Sequence, residues 1–151
     1  MITSEENELL CRVEGDTAMG GIMRQHWIPA CMSEEVNERD GKPARVRLLG
    51  EDLVVFRDSE GRLGAIDEFC RHRGASLAFG RNEDCGLRCL YHGWKFDVNG
   101  NCVDIPSEPD NHEFRETVKL QAYPLIKVGE ILWTHMGDPD NRPPEPEWEF
   151  A

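Results

Sequence analysis

The chain has no apolar run approaching the roughly 18 residues that a membrane-spanning helix requires. It also lacks an excess of basic residues, because 17 Lys and Arg stand against 29 Asp and Glu, which gives a formal net charge of −12 at pH 7. Such an acidic chain is unsuited to nucleic acid or an anionic membrane, so the sequence predicts neither partner. The first ten residues are polar and acidic, unlike a secretory signal, and we therefore expect a cytoplasmic protein.

The six cysteines show no spacing typical of a disulfide framework. With 151 residues, 39% of them hydrophobic, the chain is long enough to bury a core without disulfide bonds. These features favour a reducing compartment, where cysteines more often bind metals or remain free. Cys85 lies between the turn residues Asp84 and Gly86, so we interpret it as a packed or free thiol.

Two short segments each combine one cysteine with one histidine: Cys70-Arg71-His72 and Cys89-Leu90-Tyr91-His92. Two thiolates and two imidazoles are the ligand set of a Rieske 2Fe–2S centre, in which two histidines replace two cysteines on one iron. Zinc is the alternative, since it also accepts two cysteines and two histidines. Zinc fingers usually pair cysteine with cysteine and histidine with histidine, whereas each half here is mixed. The pattern therefore favours an iron–sulfur centre.

The residues around these pairs suit the same chemistry. Gly74 and Gly93 follow the two pairs, and glycine permits both a close approach of the backbone and a positive φ. Tyr91 and Trp94 are large and amphipathic, and such side chains can cover one side of a cluster. Together with Arg73, these residues are predicted to surround the ligands.

The segments CRHRGASL and CLYHGWKFD, with their spacing, resemble the Rieske domain of aromatic-ring-hydroxylating oxygenase large (alpha) subunits of the phthalate 4,5-dioxygenase type. Further segments extend the resemblance over nearly the whole chain: ENELLCRV, MGGIMRQHWIPACMSEEV, VRLLGEDLVVFRD and NCVDIPSEP. Arg71 is a departure, because the family usually has proline there. The resemblance implies that Cys70 and Cys89 bind one iron of a single 2Fe–2S cluster, and that His72 and His92 bind the other.

The resemblance also implies a function, which is one-electron transfer. In the family, a reductase or ferredoxin reduces the cluster, which passes the electron to a mononuclear non-haem iron in the C-terminal catalytic domain of a neighbouring subunit in a trimer. Two histidines and a carboxylate hold such an iron. The other histidines here, His26, His112 and His135, stand in no such grouping, and we interpret His135 as structural. We therefore expect that this chain alone does not hydroxylate a ring. The alternative is a stand-alone Rieske ferredoxin-like electron carrier.

The predicted fold is mostly β: a Rieske iron–sulfur fold of antiparallel sheets with two cluster-binding hairpin loops, preceded by short N-terminal helices. We expect a helical segment at 1–28, the Rieske 2Fe–2S domain at 29–137, and a proline-rich connector to a missing catalytic domain at 138–151. Helices are expected within 3–12 and 17–25, and an irregular excursion at 104–116. Strands are expected at 45–49, 53–56, 63–67, 85–90, 94–96, 118–126 and 131–136. Turns are expected at Gly50-Glu51-Asp52 and at Asp97-Val98-Asn99-Gly100, where Asn-Gly supplies the positive φ angles of a tight hairpin.

Overall fold

The computed structural model describes residues 2–149, which form short helices and three antiparallel sheets. The helices are α1 (Ser4–Cys11), α2 (Ala18–Met23) and α3 (His112–Thr117). The strands are β1 (Trp27–Met32), β2 (Ala44–Leu48), β3 (Glu51–Arg57), β4 (Leu63–Asp67), β5 (Arg81–Glu83), β6 (Gly86–Arg88), β7 (Lys95–Phe96), β8 (Cys102–Asp104), β9 (Ala122–Tyr123), β10 (Leu125–Val128) and β11 (Ile131–His135). Single 3₁₀ turns lie at Ser33–Val36, Leu77–Phe79 and Pro139–Asn141.

The two N-terminal helices begin where capping residues allow. The Thr3 hydroxyl accepts the Glu6 N–H, while the Glu6 carboxylate accepts the Thr3 N–H, so a reciprocal capping box starts α1. The Thr17 hydroxyl accepts the Gly20 N–H and starts α2 in the same manner. The helices expected within 3–12 and 17–25 are therefore confirmed. None of the helices in the described part of the chain is long and apolar enough to cross a membrane.

The sheets have the strand orders β1-β11-β10, β2-β3-β4-β9 and β5-β6-β7-β8, with every pairing antiparallel. Strand β3 contributes to all three buried clusters of the domain, because its side chains alternate between two buried faces. Val54 and Phe56 pack beneath the cysteine-bearing loops, whereas Leu53 and Val55 point into two smaller clusters. A strand buried on both faces fixes the loops to the rest of the domain.

Two predicted turns are present with a change of detail. Leu49 and Gly50 have φ values of 49° and 85° and join β2 to β3, so this turn lies one residue before the predicted Gly50-Glu51-Asp52. At the predicted Asn99-Gly100 turn only Gly100 has a positive φ, of 76°. Its N–H donates to the Asp97 carbonyl at 3.0 Å, which closes the turn.

The irregular excursion predicted for 104–116 is wrong at its end, because it runs into helix α3. The Asn111 side chain accepts the Phe114 N–H at 3.1 Å and caps this six-residue helix. The helix is too short to be stable by itself, so tertiary packing of Phe114 against Trp94 supports it. A local pattern does not report such packing.

The single strand predicted over 118–126 is also wrong, since two strands occupy that region. β9 pairs with β4 in one sheet, and β10 pairs with β11 in another. Pro124 separates them. Proline cannot donate a ladder hydrogen bond, so the chain leaves one sheet and enters the next at this residue.

The segment after Gly137 lies along the sheet that contains β1 and β11. The Trp27 indole N–H donates to the carbonyls of Pro143 and Pro144 at 3.2 and 3.0 Å. Trp133 packs against Trp148 with ring centroids 4.3 Å apart. Two tryptophans of the sheet thus hold the proline-rich segment in place.

Candidate metal centre

The first cysteine–histidine segment forms a tight loop after β4. The Cys70 N–H donates to the Ala75 carbonyl at 2.9 Å, and the Gly74 N–H donates to the Cys70 carbonyl at 2.9 Å. Gly74 has a φ of +68°, a conformation that suits glycine. An isolated antiparallel bridge between Phe69 and Ser76 closes the loop.

The second segment repeats this geometry between β6 and β7. The Cys89 N–H donates to the Trp94 carbonyl at 2.8 Å, and the Gly93 N–H donates to the Cys89 carbonyl at 3.0 Å. Gly93 has a φ of +80°. The prediction that both segments lie at hairpin ends is confirmed, and the two loops have the same backbone hydrogen bonds.

The four predicted ligand residues separate into an inner and an outer pair. Cys70 and Cys89 are each 3% exposed, lie in the same buried cluster, and are free thiols. The His72 and His92 side chains are exposed, and their ring centroids are 4.5 Å apart. Two thiols therefore lie inside and two imidazoles lie at the surface, so each loop offers one sulfur and one nitrogen donor.

The protonation of these groups follows from their surroundings. Burial raises the pKa of the Cys70 thiol to about 11, so this thiol is neutral at pH 7 until a metal displaces its proton. Desolvation, and then the neighbouring His92 and Arg73, lower the pKa of His72. The lowered pKa favours neutral imidazole, which is the form that binds metals.

Trp94 lies against His72, one of the outer pair. Its indole is buried at 7% exposure and stacks on the His72 ring, and Phe114 packs edge-on against it. The indole N–H is buried and has no hydrogen-bond partner among residues 2–149. A buried donor is costly without an acceptor. The unpartnered N–H is therefore consistent with a bound group that supplies an acceptor atom. The sulfurs of an iron–sulfur cluster are such acceptors.

The other predicted surrounding residues take different positions. Tyr91 is exposed, and its ring centroid lies 3.9 Å from that of His92. Arg73 and Gly74 are exposed next to His72, whereas Gly93 is half-buried. Tyr91 thus lies beside a predicted ligand rather than covering the thiols.

Sequence reasoning missed a buried carboxylate behind the first loop. Glu68 is almost fully buried, and its Oε1 accepts the Ser76 hydroxyl at 2.5 Å and lies 3.0 Å from Arg45 Nε. The Glu68 carbonyl also accepts the Leu77 N–H at 2.8 Å. The residue thereby joins the strand that enters the loop to the segment that leaves it. Its acidic type alone predicts a surface position, so the sequence carried no signal for this role.

Arg88, immediately before the second cysteine, was missed as well. Its guanidinium donates to the Gly93 carbonyl and to the carboxylates of Glu83 and Asp104. Only its place next to Cys89 marked it in the sequence.

Two further cysteines lie near notable groups. Cys85 occupies a turn with Asp84, both at positive φ, and its thiol is close to the carboxylates of Asp58 and Glu60. Cys102 is buried in the same apolar cluster as the ligand-loop thiols. Burial raises the pKa of the Cys102 thiol to about 11. Both are free thiols, which agrees with the interpretation of Cys85.

Comparison with known proteins identifies the family. The Rieske [2Fe-2S] domain model matches residues 26–124. The chain belongs to the Rieske [2Fe–2S] domain family. It is 57% identical over 143 residues to the phthalate 4,5-dioxygenase oxygenase subunit of Pseudomonas putida, which covers 95% of this chain and 33% of that protein. It is 48% identical over 137 residues to the 3-chlorobenzoate-3,4-dioxygenase oxygenase subunit of Comamonas testosteroni, covering 91% of this chain and 32% of that protein.

A solved structure supports the same conclusion. Dicamba monooxygenase with non-haem iron and dicamba matches with a TM-score of 0.74 and 28% identity, over 86% of this chain and 38% of that chain. The predicted family and the predicted mostly-β Rieske fold are therefore confirmed. This Rieske domain spans about a third of the length of the curated relatives that it matches.

Proposed function

We propose that this Rieske chain is the electron-accepting domain of an aromatic-ring-hydroxylating oxygenase, with a 2Fe–2S cluster held by Cys70, His72, Cys89 and His92. The observation that carries the proposal is the pair of matched loops, which place two thiols in one buried cluster and two exposed imidazole rings 4.5 Å apart. When bound, the cluster supplies one-electron redox chemistry. In this assignment the two cysteines hold one iron and the two histidines hold the other.

The two pairs of side chains would do different work. The buried cysteines keep the sulfur side of the site away from water, which limits hydrolysis and oxidation of the bound group. The exposed histidines use one ring nitrogen as a ligand, and the other remains free to donate to an acceptor on a partner. Neutral imidazoles in place of anionic thiolates make the site less negative, which favours reduction.

The proposed partners follow from the relatives, which are oxygenase subunits. The electron donor is a reductase or ferredoxin, and the acceptor is a mononuclear non-haem iron in a catalytic domain of a neighbouring subunit in a trimer. We propose the division into 1–28, 29–137 and 138–151 that the sequence predicts, with the last segment leading to such a domain. The cytoplasmic location stays a prediction.

The same relatives favour this proposal over the stand-alone ferredoxin-like carrier. The buried, unpartnered Trp94 N–H favours an iron–sulfur cluster over zinc, because a zinc ion with four protein ligands brings no acceptor atom of its own.

A reductive titration tests the proposal. The protein is reconstituted anaerobically with iron and sulfide and titrated with dithionite while its visible absorption is followed. We expect bleaching that is complete at one electron per chain and reverses on reoxidation. A colourless protein that takes up no electrons, or one that binds zinc in preference to iron and sulfide, would contradict it.

A further inference from the structure

We propose that Arg88 is a positioning residue that holds the second ligand loop, and with it the His92 imidazole, in place. The inference rests on the proposed function, since it assigns His92 as a ligand. We do not assign Arg88 a contact with the cluster itself. It acts through the backbone of Gly93, the residue that follows His92.

Three strong contacts converge on the Arg88 guanidinium, which is only 15% exposed. Its Nη1 donates to the Gly93 carbonyl at 2.7 Å and to Asp104 Oδ2 at 2.7 Å. Its Nε donates to Glu83 Oε1 at 2.6 Å. Hydrogen bonds between charged groups are shorter and stronger than neutral ones, and those to Glu83 and Asp104 are of this kind. Arg88 therefore joins β5 and β8 to the loop between β6 and β7.

The Gly93 peptide is restrained from several directions. Its N–H donates to the Cys89 carbonyl at 3.0 Å, and its carbonyl accepts from Arg88. Pro106 also lies close, since an added Cβ would be 3.0 Å from Pro106 Cγ. Gly93 connects His92 to Trp94, so fixing this peptide limits the directions in which the His92 ring can leave the backbone.

The first loop has the same backbone hydrogen bonds but a different side-chain anchor. Glu68 joins its two ends through Ser76, and no side chain within residues 2–149 donates to the Gly74 carbonyl. Nothing lies within 4 Å of a Cβ added at Gly74. Arg71, on that loop, is exposed and donates to the Lys119 carbonyl at 3.1 Å and to Asp67 at 3.3 Å. Loss of Arg88 should therefore loosen the second loop and leave the first unchanged, which makes the first loop an internal control.

Arginine suits this position for a geometric reason. Its planar guanidinium presents donors in several fixed directions, whereas lysine has a compact ammonium on a flexible stem. Lysine would retain the charge between Glu83 and Asp104 without reaching the Gly93 carbonyl in the same geometry. Comparing Arg88→Lys with Arg88→Met thus separates the effect of the positive charge from the effect of the directed guanidinium hydrogen bonds.

The experiment compares Arg88→Met and Arg88→Lys with Arg81→Met. Arg81 is the matched control, because it lies opposite Arg88 in the sheet and also pairs with Glu83, at 3.2 Å. It is exposed, and within residues 2–149 it makes no hydrogen bond to the loop. Hydrogen exchange measured by mass spectrometry on the apo chain follows residues 89–94 and 70–75. Iron release from the reconstituted protein to a chelator, together with its visible circular dichroism, reports on the loaded site.

In Arg88→Met we expect exchange at 89–94 to be about tenfold faster or more, with exchange at 70–75 unchanged. Iron release should be faster by roughly 10- to 100-fold, as is typical when a residue that supports a metal ligand is lost. Arg88→Lys should show the same selective loosening to a smaller degree, with an altered dichroism spectrum. Arg81→Met should match the wild type in every readout.

Two results would overturn the inference: exchange in Arg88→Met that increases by the same factor at 89–94 and at 70–75, or iron release at the wild-type rate. If Arg88→Met does not fold, Arg88→Lys decides in the same way, since it keeps the charge balance. The exchange measurement needs no cluster. A wild-type protein that never binds iron therefore contradicts the proposed function, whereas equal exchange in a cluster-binding protein contradicts only the role of Arg88.

Discussion

The imidazole of His72 lies face to face with the indole of Trp94, with ring centroids 4.6 Å apart and ring planes 5° apart. His72 is exposed, so without this stack its ring would sample several rotamers. The indole is buried and is itself held by Phe114 of helix α3. One of the proposed ligands is thus oriented before any metal binds, which lowers the entropy lost on binding.

Substitution of Trp94 separates packing from hydrogen bonding. Trp94→Ala should lower the free energy of unfolding of the apo chain by about 3–5 kcal/mol, because a large buried ring is lost. Trp94→Phe should cost much less, since the indole N–H makes no hydrogen bond within residues 2–149. If the bound cluster accepts that N–H, Trp94→Phe should lower the free energy of unfolding more in the reconstituted protein than in the apo chain. Urea unfolding of both forms measures this, and an equal loss would show that the cluster does not use it.

Replacement of an outer ligand should change the redox potential. His92→Cys and His72→Cys exchange a neutral imidazole for an anionic thiolate, which makes the site more negative and disfavours reduction. We expect the potential to fall by roughly 100–300 mV, or the cluster to be lost. Exposed His26 supplies the control, and His26→Cys should leave the potential unchanged. Redox titration monitored by absorption makes the measurement; an unaltered potential in both ligand variants would disprove the assignment.

The two loop glycines should differ in their tolerance of a side chain. Both have positive φ, so alanine at either position costs about 1 kcal/mol in backbone strain. A Cβ at Gly93 would also press on Pro106, whereas a Cβ at Gly74 meets open space. Gly93→Ala should therefore destabilise the apo chain by about 1–3 kcal/mol more than Gly74→Ala. Urea unfolding of the two variants compares them, and equal losses would mean that Pro106 moves aside easily.

The buried His135 should make stability depend on pH. It is 2% exposed, packs against Trp27, and its Nε2 has no partner among the described residues. Burial, and then Arg142, lower its pKa, while Asp138 opposes them. The unfolded chain therefore takes up a proton first as the pH falls below about 6.5, and stability drops until the folded pKa is passed.

His135→Gln should reduce this loss of stability between about pH 6.5 and pH 5. The control is His112→Gln on the exposed face of α3, which should retain the wild-type dependence. Urea unfolding across this range checks both variants. A His135→Gln protein with the same slope as the wild type would assign the pH dependence to other groups.

Local signals in the sequence predicted the parts of the site that depend on residue type and spacing. The cysteine–histidine pairs, the glycines after them and the strand at 63–67 lie where the sequence predicts. Each of these features is determined within a few residues. For example, each loop glycine is favoured because its own turn requires a positive φ at that position.

The features that were missed depend on distant partners. The Arg88 contact with Asp104 spans 16 positions, and the anchor formed by Glu68 includes Arg45 on another strand. Helix α3 also depends on packing against Trp94. The break at Pro124 was different, since a proline within a predicted strand is itself a signal of a strand end.

The iron and acid-labile sulfide content of the purified, anaerobically reconstituted protein tests the proposed iron–sulfur site most directly, together with the EPR spectrum of the reduced form. We expect two irons and two sulfides per chain and a Rieske-type EPR signal that appears on one-electron reduction. Cys70→Ala and Cys89→Ala should each abolish both the binding of iron and sulfide and the EPR signal. A wild-type chain that holds neither iron nor sulfide would show that these two loops do not form an iron–sulfur site.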